Sequence, residues 1–255
     1  MACRVFFVSA RISILTRRYF QLLPAWKTYG DSWEKRTSPL NCFSSSSRLR
    51  AITGASGSLK NKDRYEETVR QPCLRLILDM GLRLKTISPW IVADAKPNGG
   101  SLLRIYRDIR FSSDKTPYKT HVGMNFPHAG STEEIHGPGY YLHFDPGASF
   151  LAAGAWRPER RSLAKIRDSI SWKADEWKKA KRGVALEGDT LKRPPRGYAE
   201  NHPMIEDLKR TDFVAYIKLA DSQVCGGRLL EDVAAAAKKL APLVGFLARA
   251  EGLQF

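Results

Sequence analysis

A short run with apolar residues at every second position, joined by a tight turn to a second strand-length run, constrains this chain most. Tyr140, Leu142 and Phe144 alternate with Tyr141 and His143; Asp145-Pro146-Gly147 follows, and Phe150–Trp156 resumes as a second run. A period of two sends alternate side chains to opposite faces, and Asp-Pro-Gly reverses the chain. The pair therefore predicts an antiparallel hairpin with one face in a core. His121–Phe126 repeats the pattern, with Val122, Met124 and Phe126 set against His121, Gly123 and Asn125, and Phe213–Leu219 has strand composition.

Helical spacing surrounds these strands. Tyr65, Val69, Leu74, Ile77, Leu78 and Leu82 predict a helix from a cap at Asn61 to about Lys85, with a kink or break at Pro72. Ile87–Ala93 has the length of a short strand. Pro158 suits the first turn of a helix that carries Leu163, Ile166, Ile170 and Trp177 inward. Leu229–Glu251 places Leu230, Val233, Ala237, Leu240, Val244 and Leu247 on one face, while Leu191–His202 is a loop rich in proline and basic residues. This order of elements gives an α+β class, an antiparallel sheet covered by helices, in a single domain over 58–255.

The first 57 residues read differently. Met1–Gly57 holds nine basic residues against Asp31 and Glu34, and thus seven of the sixteen excess positive charges of the chain. Met1–Tyr29 has no acidic residue, and Ser44–Ser47 and Thr53–Ser58 have the composition of a flexible connection. An Arg- and Ser-rich, acid-poor end is the composition of a transit peptide, which predicts a mitochondrial or plastid location; without that role the expectation is cytoplasmic. No apolar run approaches the roughly 18 residues of a membrane span. Cys3, Cys42, Cys73 and Cys225 are isolated, as free thiols rather than a disulfide framework or zinc site.

The chemistry concentrates in Arg104–His121, R-I-Y-R-D-I-R-F-S-S-D-K-T-P-Y-K-T-H. Leu102, Ile105, Tyr106 and Ile109 satisfy a helix, but Leu103–Phe111 also alternates, and the strand is preferred because it sets Arg104, Tyr106, Asp108 and Arg110 on one face. Arg104, Arg107, Arg110, Lys115, Tyr118 and Lys119 interleave fork donors and point charges with aromatics, which suits a phosphate, sulfate or carboxylate. Lys192, Arg193 and Arg196 offer a second wall, and Arg157 stands at the mouth. The competing expectation is that the arginines form structural ion pairs with Asp108, Asp114, Glu206 and Asp207. His121 and His143 fall on the same kind of strand face, so the two rings can approach each other. His121 or Asp108 then serves as the proton-transfer group; a weaker alternative is a metal site of His121, His143 and Asp108. Trp156 and Tyr141 are candidate stacking platforms. No phosphate loop, dinucleotide fingerprint or Ser-His-Asp order occurs, so no cofactor is expected.

Five blocks carry a resemblance to a family. They are Ser101–His121, P-G-Y-Y-L-H-F (Pro138–Phe144), A-G-A-W-R-P-E (Ala153–Glu159), D-T-L-K-R-P-P-R-G-Y (Asp189–Tyr198) and H-P-M-I-E-D-L-K-R-T-D-F (His202–Phe213). In order and spacing the chain from about Leu59 to Phe255 resembles the DUF2461 family of conserved hypothetical proteins. The segment before Asn61 does not follow the family's pattern. The resemblance implies one domain of this length and supplies no chemistry. The residues themselves predict an anionic small molecule as partner, bound or turned over; the alternative is a nucleic-acid-binding module that uses the same surface.

Overall fold

A computed structural model describes residues 62–107, 110, 118–131 and 136–255. The expected transit peptide, the Ser/Gly connection, the Asn61 cap, Asp108, Asp114 and Lys115 lie outside these residues.

The strands are β1 (Val122–Pro127), β2 (Gly139–Phe144), β3 (Phe150–Ala155), β4 (Leu186–Glu187) and β5 (Phe213–Lys218). They form one antiparallel sheet in the order β1-β2-β3-β5-β4. The Asp145 turn joins β2 to β3 as the sequence predicts, closed by the Ala148 N–H donating to the Asp145 carbonyl at 2.8 Å. β4 is too short to leave a periodic signal.

One face of the sheet builds the core. Val122, Met124, Phe126, Tyr140, Leu142, Phe144, Leu151, Ala153, Phe213 and Ala215 are buried. The helices α1 (Lys62–Tyr65), α2 (Gln71–Lys85), α3 (Arg160–Trp172), α4 (Ala174–Ala180), α5 (Ile205–Leu208), α6 (Asp221–Val224) and α7 (Leu229–Ala250) follow in chain order. Of these, α7 lies across β3, and α2, α3 and α4 pack on α7. Trp177 of α4 locks the layers: its buried ring meets Phe213 edge-on at 5.9 Å and Phe246 at 5.0 Å. Full burial of an aromatic ring of this size contributes about 2–3 kcal/mol.

The helix divides ahead of Pro72: a π-helical turn, Glu66–Arg70, separates α1 from α2, and Pro72 occupies the first turn of α2, where a missing N–H costs little. Two helical details differ from expectation. Leu78 and Leu82 face outward, and the buried stripe is Val69, Cys73, Leu76, Ile77, Met80 and Leu84. Trp177 sits on its own helix, because Lys173 leaves helical geometry at φ −121° and ψ 47°.

The described parts of this region, Ser101–Arg107 and Tyr118–Lys119, extend the β1 edge. The Leu103 N–H donates to the Gly123 carbonyl, and the Asn125 N–H to the Ser101 carbonyl. Beyond this, Tyr106 pairs with Tyr118, and the Lys119 N–H reaches the Ile105 carbonyl at 2.7 Å. Leu103 is exposed, unlike the inward residue of a half-buried strand. Ile87–Ala93 contributes one bridge, Ile91 to His128, rather than a full strand.

Candidate functional site

The second face of the sheet carries the chemistry. Strand alternation and register put Gly123 and Asn125 of β1, Tyr141 and His143 of β2, Phe150 and Ala152 of β3, and Tyr216 and Lys218 of β5 on this face. A row of rings crosses it. Tyr216 meets Phe150 edge-on at 5.1 Å, Phe150 stacks on His143 at 4.7 Å and 12°, and His143 meets His121 at 4.5 Å. The approach of the two histidines follows from their pairing, since Gly123 lies opposite His143 and His121 is the diagonal neighbour.

Tyr141 positions this row. Its hydroxyl is 3.1 Å from His143 Nδ1, and its ring lies over Gly123. A Cβ at residue 123 would stand 2.6 Å from the Tyr141 hydroxyl, so glycine leaves the space that the ring occupies. Tyr141 is thus engaged with His143, not free as a stacking platform. Burial pushes its phenol pKa up, which keeps it a neutral partner.

The row ends at a cationic corner. Burial and then the charge of Arg104 lower the Lys119 pKa. His121 is lowered by burial, then by Lys119 and Arg107, with Asp145 opposing. His143 is pushed down to about 4, by burial first and by His121 second, again against Asp145. Both imidazoles are therefore neutral near pH 7. Among the described residues, neither Arg104 nor Lys119 forms an ion pair with a carboxylate. Glu206 and Asp207, the acids expected to absorb the arginines, are held instead by Lys209, Lys181 and Arg210. Excess positive charge beside the histidines disfavours a metal cation there. Among the described residues, no group of three or more His, Cys, Asp or Glu side chains is placed to hold one.

The remaining sequence candidates lie elsewhere. Trp156 follows β3 on the same face, and Gly154 is level with Gly139 and Pro127. At the usual rise per residue, Trp156 and His121 are roughly 25 Å apart along the strands. Trp156 is 53% exposed, with the Arg157 guanidinium 5.0 Å over its ring and His136 beside it at 5.4 Å. Arg157 has φ 50°. Left-handed backbone at a residue with a Cβ costs about 1–2 kcal/mol, and an exposed cation–π contact returns about 0.5–1 kcal/mol. Buried Asp212 holds this corner: Oδ1 accepts the Arg157 N–H at 2.7 Å, and Oδ2 the Asp189 N–H at 2.8 Å. The loop with Lys192 and Arg193 leaves from here, so the intended second wall does not face Arg104.

Arg196 lines a depression on α3 with Asp168, Ser171, Trp172, Tyr198 and His202. The Met204 N–H donates to His202 Nδ1, so the neutral ring carries its proton on Nε2 and donates to Ser171 at 3.0 Å. That tautomer provides no base for Ser171. His128 is buried and tied to the Gln254 carbonyl and the Gly130 N–H, a structural role. Arg110 is exposed on the same edge stretch as Arg104.

Sequence reasoning missed Phe150, Tyr216, Gly123 and Asp145. The parity that selected Tyr141 and His143 also selects Phe150. Asp145 was legible only as a turn residue.

Residues 59–246 match the family model described as "Conserved hypothetical protein (DUF2461)". No curated protein and no solved structure matches the chain. The chain belongs to the DUF2461 family.

Proposed function

We propose that this DUF2461 member binds a phosphorylated or otherwise anionic small molecule at the corner of Arg104, Arg107, Lys119 and His121. The observation that carries the reading is that Arg104 and Lys119 sit close enough for one to depress the other's pKa, with no described carboxylate paired to either. An anion relieves that repulsion, and the partial burial of Lys119 and His121 beside the exposed Arg104 strengthens the attraction relative to open water. Tyr118 lies on the same segment and meets Tyr106 at 5.2 Å, which holds the Lys119 backbone in place. His121, or Asp108 on the adjoining segment, moves a proton if the ligand is turned over; His143 packs against His121 at 4.5 Å.

Thermal shifts of the full chain with phosphorylated metabolites test this at low and moderate salt. A salt-resistant rise that disappears in Arg104→Ala and Lys119→Ala supports it; an equal rise in the variants refutes it. The second reading, a nucleic-acid surface, draws on exposed Tyr106 and Trp156 at separate ends of the face. It predicts binding to long polyanions that weakens steeply with salt. We further propose that Met1–Gly57 directs the chain to a mitochondrion or plastid; a reporter fused to these residues that stays in the cytoplasm would contradict this.

A further inference from the structure

We propose that Trp156 and Arg157 form a second, separate subsite, which takes a ligand that carries both a phosphate group and a planar ring, as a nucleoside monophosphate does. Arg157 adopts the left-handed region at φ 50°, where glycine or asparagine fits more easily. The cation–π contact offsets only part of the strain, so stability gives no reason for arginine at this position. What the backbone turn does is lay the guanidinium over the indole.

A stacked guanidinium keeps its N–H edge turned outward, in the fork geometry that matches a phosphate. Among the described residues that fork has no carboxylate partner. Asp212, which holds the Arg157 backbone, is buried with both oxygens occupied by backbone N–H groups. The indole carries the guanidinium over its ring and His136 beside it, and its exposed half supplies a flat apolar surface for the planar ring of the same ligand. The loop that carries Lys192 and Arg193 starts at the same Asp212 clamp and adds positive potential. At roughly 25 Å from His121 along the strands, this subsite cannot share a small ligand with the first corner.

Tryptophan fluorescence of the full chain, titrated with adenosine 5′-monophosphate, adenosine and inorganic phosphate, tests the subsite. Arg157→Asn suits the left-handed backbone and keeps the N–H to Asp212, so the fold survives and the melting temperature holds or rises. The monophosphate is expected to quench the signal, with adenosine much weaker. Arg157→Asn weakens the monophosphate at least about tenfold, Trp156→Phe removes the quench, and Lys119→Ala changes neither. A 5′-phosphorylated trinucleotide that competes, where its 5′-hydroxyl form does not, places the source of the group in a nucleic-acid end; no competition places it in a free nucleotide. Unchanged affinity in Arg157→Asn, equal quenching by adenosine, or loss of the quench in Lys119→Ala would each overturn the proposal. The last outcome leaves the Lys119 corner standing, and failure of that corner leaves this subsite standing.

Discussion

His143 shows what a single residue gains and loses on this face. Its ring lies between Phe150 and His121, so the protonated form loses solvent and meets a second imidazole, and the pKa falls to about 4 from an ordinary 6.5. Between these values the unfolded chain binds the proton and the folded chain does not. Stability therefore falls as pH drops from 6.5 towards 4, then levels off. Because the ring is half exposed, solvent screening limits the effect to on the order of 1 kcal/mol. His143→Gln should flatten the slope of melting temperature against pH in that window, and an unchanged slope would place its cause elsewhere. Lowered His121 acts with the same sign.

At the scale of elements, β3 depends on a glycine. Gly154 has φ 132°, and a Cβ there would stand 1.9 Å from the Phe213 carbonyl oxygen on β5. Because the obstacle is backbone, Gly154→Ala should destabilise the fold by about 3 kcal/mol or more, read by urea denaturation. Period-two alternation located β1 and β2, because each has one face in a core and one face half open, while the Asp-Pro-Gly turn and strand composition pointed to β3 and β5. The same rule could not find β4, which has two residues, nor the edge stretch, where Leu103 faces solvent. On α2 the spacing pointed to Leu78 and Leu82, but which stripe is buried depends on where α7 lies, and no local pattern encodes that. The proximity of His121 and His143 was legible from parity. The separation of Trp156 and Arg157 from Arg104 was not, because it depends on strand register over the full length of the sheet.

The whole molecule divides its work between two faces. One is apolar and closed by α7 and its partners; the other runs from a cationic corner, along a row of rings, towards an exposed tryptophan. No helix of the described residues is long and apolar enough to cross a membrane. If the Lys119 corner takes an anion, the bound charge must raise the His121 pKa and draw in a proton. Sulfate is the cleanest probe, since it stays a dianion across the range where histidine titrates. The measurement is calorimetry of sulfate binding to the full chain at fixed ionic strength, in two buffers of different ionisation enthalpy, between about pH 5 and 7. The account predicts proton uptake on binding, with affinity that rises as pH falls, and both effects lost in Lys119→Ala. Binding that is indifferent to pH and to Lys119, or no binding at all, would contradict it.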